Sequence, residues 1–165
     1  SHSDLVIITG SKCSLTKYQD WMGQLEQMVR NFTIPIIGIC FGHQIVCGGY
    51  NQRLEKGAKK TAIEAVTLEG VTKYALFTHE DHIEINEDFP GTIDIIARSE
   101  EGKIIAVKDQ ERRIISVQFH PEADEDLVAY AVECGEMTAE EAACFEFEQP
   151  MWNFGDLLLA IGYIS

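Results

Sequence analysis

A cysteine stands between two glycines in Gly38-Ile39-Cys40-Phe41-Gly42, directly after the apolar run that begins at Ile34. The nucleophilic form of a thiol is the thiolate, which needs a base nearby, and the base in turn needs a group that orients it. The chain offers His2, His43, His79, His82 and His120. His120 ends the β-rich run Ile114 to Phe119 and is followed by Pro121 and Glu122. A carboxylate two residues on can fold back onto the second imidazole nitrogen and set its tautomer. Cys40, His120 and Glu122 therefore form a candidate nucleophile, base and orienter. On its own stretch, Cys40 reads equally well as a buried structural thiol, a common setting for this residue type. His43 reads as a helix-face residue, and Cys13 and Cys47 as passive thiols.

Acyl chemistry also needs donors for a developing oxyanion. The N–H of Phe41, next after the nucleophile, is one candidate. Thr9-Gly10-Ser11 is a loop after a neighbouring strand, where Gly10 allows close backbone approach; an ordinary turn glycine is the competing reading.

These groups need elements to hold them. Leu5 to Thr9 and Ile34 to Ile39 read as short buried strands. Between them, Thr16 to Gln19 fits a capping box, with Trp21, Leu25, Met28, Val29 and Phe32 as the apolar face of a helix. A second helix starts just after Cys40 and ends near Gly48-Gly49. Cys40 then occupies a sharp strand-to-helix turn at the carboxyl end of a strand, where α/β sheets bind ligands. The amides and dipole of the following helix favour an anionic sulfur. Strand-helix-strand-helix predicts a parallel sheet covered on both faces. Further on, Ala62 to Leu68, Tyr74 to Thr78, Ile93 to Ala97, Ile104 to Lys108 and Ile114 to Phe119 read as short strands. Turns are marked at Gly70, Pro90-Gly91 and Glu101-Gly102. Asp124 to Cys134, a capping box at Thr138 to Glu141, and Phe154 to Ile161 read as helices of an acidic tail at about 124–165.

The 165 residues predict one domain over 1–165. No apolar stretch approaches the roughly 18 to 20 residues that span a bilayer, and the cytoplasm is the expected compartment. The five cysteines, an odd and irregular set without CxxC, argue against a disulfide framework or structural zinc. The net charge is −14, which disfavours nucleic acid. Beyond Arg113 there is no Lys or Arg, yet eleven acids run from Glu122 to Asp156. A solvated acidic face is the plainer reading of these, and a docking surface for a basic partner the sharper one.

Together, GICFGHQ, the early TGS, THED at Thr78 to Asp81 and VQFHPE at Val117 to Glu122 resemble the class I (triad) glutamine amidotransferases over roughly residues 4 to 125. The resemblance implies a flavodoxin-like, three-layer α/β fold: an open, mostly parallel sheet with helices on both faces and a small antiparallel portion. It implies release of ammonia from glutamine through a Cys40 thioester, with His120 as acid and base and Glu122 orienting it. Gly10 and Phe41 would be the oxyanion donors, and Gln44 with the Thr78-His79 loop would hold the substrate. No metal or organic cofactor is implied. The expected partner is a synthase that receives the ammonia, as in GMP synthase-like systems. A stand-alone γ-glutamyl peptidase and a non-catalytic interaction module are the alternatives. The strand, helix and strand that usually precede TGS in this family do not appear in this sequence; their loss would leave buried sheet edges open, so either the sequence is a fragment or another chain fills the gap.

Overall fold

The computed structural model describes residues 4–84, 89 and 91–165; the expected Pro90-Gly91 turn lies partly outside them. Among the described residues, seven strands form one sheet: β1 (Val6–Ile8), β2 (Ile36–Ile39), β3 (Arg53–Leu68), β4 (Val71–Glu84), β5 (Ile93–Arg98), β6 (Ile104–Asp109) and β7 (Ile114–Val117). The order is β1-β2-β7-β6-β4-β3, with β5 also paired to β6. The helices are α1 (Asp20–Asn31), α2 (Phe41–Gly49), α3 (Glu125–Glu133), α4 (Ala139–Ala142) and α5 (Phe154–Ala160).

The fold is α/β with helices on both faces, and its sheet is mixed rather than mostly parallel. Among the described strands, only β1, β2 and β7 run parallel. The pairings among β3, β4, β5, β6 and β7 are antiparallel, so that portion is not small. Connection length explains this. Parallel neighbours need a crossover of a dozen residues or more, which α1 supplies between β1 and β2. Beyond Arg53 the short turns between β3 and β4, β5 and β6, and β6 and β7 make hairpins. At the first of them Glu69 and Gly70 both have positive φ, 48° and 85°, the pattern whose twist matches two antiparallel strands. The resulting β3/β4 arms are much longer than Ala62 to Leu68 and Tyr74 to Thr78, so Thr78, His79 and Asp81 lie within a strand and not in a loop.

Alternation along the central strands divides the core. Ile36, Ile114 and Val107 pack with Met22, Val29 and Ile45 on the face covered by α1 and α2. Ile37, Ile115 and Ile105 pack with Phe77, Trp152 and Leu157 on the face covered by α5. The capping box expected at Thr16 does not form. Ser14 instead caps a single 3-10 turn, Leu15–Lys17, and α1 begins at Asp20 without a side-chain cap. The buried residues of α1 are Met22 and Val29, while Trp21 and Phe32 stay partly exposed. The reason is the seat of α1 on α2: a methyl on Gly49 would come 2.9 Å from Val29 Cγ1. This close approach turns the Met22–Val29 stripe inward.

The acidic tail is stitched to the sheet. Asp124, Thr138 and Asn153 cap α3, α4 and α5. Pro150 to Trp152 runs along β4, with Tyr74 exchanging backbone hydrogen bonds with Pro150 and Trp152, each 2.8 Å. Asp156 pairs with Lys73 at 2.9 Å and Glu141 with Lys59 at 2.5 Å. Trp152 is buried, and its indole N–H donates to the Val66 carbonyl at 2.8 Å. Trp152→Ala is expected to remove about 3–5 kcal/mol of stability, read as a lower urea midpoint; an unchanged midpoint would show the tail to be an energetic bystander.

Candidate active site

β2 delivers Cys40 to a turn that ordinary residues avoid. Its φ is 55° and its ψ −105°, a conformation that costs of order 1–3 kcal/mol and persists only when the surroundings enforce it. They do so through backbone bonds and through glycines. Cys40 N–H donates to the Val117 carbonyl at 2.9 Å, and the Cys40 carbonyl accepts from Gln44 N–H at 3.2 Å. A methyl on Gly38 would lie 2.6 Å from the Gly42 carbonyl oxygen, and one on Gly42 only 1.8 Å from that of Ile8. Both glycines are therefore required by backbone-to-backbone contact.

β7 ends at Val117, and the chain continues through Gln118 and Phe119 to His120. The His120 ring packs beside Gly10, where a methyl would meet His120 Cε1 at 3.3 Å and Cys40 Cβ at 3.8 Å. Cys40, Gly10 and His120, which are far apart in sequence, thus share one corner. His120 Nδ1 bonds Glu122 Oε1 at 2.6 Å. Burial alone would lower the His120 pKa, but hydrogen bonds and charge from Cys40 and Glu122 outweigh it and lift the value to about 10. The ring is thus poised to be an imidazolium against sulfur on one side and carboxylate on the other.

Cys40, Phe41, Gln44, Thr78 and His79 line a cavity of about 230 Å³ together with the Ser11–Ser14 loop, Glu80 and Asp81. His79 is buried, its Nδ1 lies 3.0 Å from the Asp81 carbonyl oxygen, and burial first of all lowers its pKa to about 4. The neutral ring must donate from Nδ1 to that carbonyl, which leaves Nε2 as an acceptor. Nε2 is buried without a hydrogen-bond partner among the described residues. His82 meets His79 edge to face, ring centres 4.9 Å apart. His43 lies on α2 and is buried; Ser116 Oγ lies 2.7 Å from its Nδ1, and burial lowers its pKa to about 3. Burial likewise pushes the Cys47 thiol up.

Three polar residues, Ser14, Asp81 and Gln118, join the site without any role read from the sequence. Ser14 donates to the Asp81 carboxylate and ties the Ser11–Ser14 loop to β4. Gln44 Nε2 donates to the Asp81 carbonyl and to Gln118 Oε1, both at 3.4 Å. Gln118 Nε2 in turn reaches Cys40 Sγ at 3.7 Å. Asp81 and Gln118 stand inside the THED and VQFHPE motifs, the one signal that could have marked them.

The family described as Glutamine amidotransferase class-I matches residues 1–127. The chain belongs to this family. A glutamine-hydrolysing GMP synthase subunit of Pyrococcus abyssi is 31% identical over 132 residues, 70% of this chain and 70% of that protein. The corresponding protein of Methanosphaera stadtmanae is 29% identical over 112 residues, 61% of this chain and 58% of that one. The amidotransferase fold is also evident in solved structures. A glutamine amidotransferase from Thermotoga maritima has a TM-score of 0.66 at 17% identity, covering 86% of this chain and 66% of its own. One from Methylobacillus flagellatus has 0.66 at 19%, covering 93% and 68%. Among the described residues of this amidotransferase chain, no helix is long and apolar enough to cross a membrane.

Proposed function

We propose that this chain hydrolyses the side-chain amide of glutamine and delivers the ammonia to a GMP synthase-like partner. The observation that carries the reading is the enforced positive-φ turn at Cys40 beside the Glu122-bonded ring of His120. The relatives that are GMP synthase subunits favour ammonia transfer over a stand-alone γ-glutamyl peptidase.

In this reading the Cys40 thiolate attacks the amide carbon, and the negative charge moves to the amide oxygen. The N–H groups of Gly10 and Phe41 receive that charge without reorganising. The bond to nitrogen breaks as the His120 imidazolium protonates the departing ammonia. A γ-glutamyl thioester remains on Cys40. Neutral His120 then takes a proton from water, whose oxygen attacks the thioester, and returns a proton to sulfur as glutamate leaves. Glu122 holds Nδ1 throughout and stabilises each imidazolium stage. Gln44, Thr78 and His79 hold the amino-acid end. The lone pair on His79 Nε2 suits the substrate's α-ammonium, a partner for a buried acceptor that has none among the described residues.

Labelling with a glutamine analogue that carries an electrophile in place of the amide tests this. Peptide mapping is expected to find one adduct, on Cys40, suppressed by excess glutamine and lost in His120→Ala. If Cys40 stays open to a small alkylating agent but takes no analogue, the glutamine reading is wrong.

A further inference from the structure

We propose that Gln118 is a hydrogen-bond donor to the nucleophile, orienting the Cys40 sulfur and holding it as the anion; this deepens the glutaminase reading and rests on it for its catalytic meaning. Gln118 is 1% exposed, so its amide has little recourse to solvent and its polar atoms must find partners within the protein. Its backbone is anchored, the N–H donating to the Ile105 carbonyl at 2.8 Å. Val117, one residue earlier, accepts the Cys40 N–H at 2.9 Å. Gln118 is thereby held next to the nucleophile turn by the β2/β7 pairing itself.

The polarity of the amide follows from its two neighbours. Gln118 Oε1 lies 3.4 Å from Gln44 Nε2, and Gln118 Nε2 lies 3.7 Å from Cys40 Sγ. Gln44 Nε2 is a donor, already directed at the Asp81 carbonyl at 3.4 Å. Turning the Gln118 amide over would set two NH₂ groups against each other and point a carbonyl oxygen at sulfur. The observed orientation satisfies every atom, and its last link is an N–H aimed at Cys40. Such a donor stabilises a sulfur anion over the neutral thiol, as charge-assisted bonds do. The sulfur then has two supports, the His120 ring and the Gln118 amide, both carried by the segment that follows β7. The chain Asp81 carbonyl, Gln44, Gln118, Cys40 also links the cavity wall that would grip the substrate to the reacting atom.

The test is the rate of alkylation of each cysteine by iodoacetamide between pH 5 and 10, resolved by peptide mapping, in wild type, Gln118→Met and Gln118→Glu. Methionine keeps the length and removes the N–H. Glutamate keeps the shape and sets a carboxylate against the sulfur. At pH 7 Cys40 in Gln118→Met is expected to react about tenfold more slowly than wild type, with the rates converging at alkaline pH, and Gln118→Glu more slowly still. Exposed Cys13 should follow the same profile in all three proteins, and buried Cys47 should remain unlabelled if the fold is intact. If Gln118→Met exposes Cys47, Gln118→Glu alone decides, by the same slowing at neutral pH. A Cys40 profile superposable on that of wild type in a folded variant would overturn the proposal. Because alkylation needs no glutamine, a wild type that failed to hydrolyse glutamine would sink the proposed function while leaving this result readable.

Discussion

Cys40→Ala is expected to reduce glutamine hydrolysis by about 10⁴-fold or more and, in the same protein, to lower the pKa of His120. The first effect follows from loss of the sulfur that forms the thioester in the proposed reaction. The second follows from the forces on the ring. Burial opposes the His120 charge, while Cys40 and Glu122 favour it, and the balance stands at about 10. Removing Cys40 deletes one of the two supports and leaves burial in place, so the value must fall. The consequence for stability has a definite sign. A histidine whose folded pKa lies above its ordinary 6.5 contributes stability that is complete below pH 6.5 and is lost as pH rises through about 10. In Cys40→Ala that loss should end at a lower pH. Titration of the His120 ring by two-dimensional NMR, with urea unfolding at pH 7 and pH 10, reads both. A His120 titration unmoved by the substitution would mean that sulfur and ring do not interact.

Gly42→Ala should be nearly as damaging, although residue 42 touches no substrate atom in the proposed reaction. The added methyl would sit 1.8 Å from the Ile8 carbonyl oxygen, a backbone atom with no rotamer to yield. Ile8 is paired with Gly38 across β1 and β2, so relief requires β1 to move away from the nucleophile turn. The Gly10 loop follows β1 and would move with it, away from Cys40 and His120. A cost of about 1–3 kcal/mol is the usual scale for such overpacking, and the misplacement of Gly10 should remove most of the activity as well. Gly91→Ala is the control, since a methyl there meets nothing within 4 Å. A Gly42→Ala protein with the melting temperature and rate of wild type would show that the turn is looser than its geometry implies.

The local grammar of the chain is largely readable from its residues alone. α2 starts at Phe41 and ends at Gly49, α3 falls within the expected Asp124 to Cys134, α4 begins at the expected capping box, and the Gly70 and Gly102 turns fall at the expected glycines. These features depend on neighbours a few residues away: a side chain reaching an orphan N–H, or a glycine taking a positive φ. Expectation and structure part where distant packing overrides a local pattern. Trp21 and Met22 are both apolar and adjacent, so periodicity alone could choose either, and the Gly49 seat on Val29 chose Met22. THED lost its loop because β3, which begins at Arg53, extends the hairpin under it.

The sequence by itself determined which chemistry the chain could attempt: a thiol at a strand end among glycines, a histidine followed two residues later by a carboxylate, and motifs specific enough to name a family. Those are properties of residue type and short spacing, which the linear chain carries in full. Only the tertiary structure decided the strand directions, the left-handed φ forced on Cys40, the high His120 pKa, and the meeting of Gln44 with Asp81 and Gln118. Each of these comes from groups tens of residues apart, brought together by sheet pairing and burial. Hydrogen bonds and charges act over a few ångströms, so their sums exist only once the chain has closed on itself.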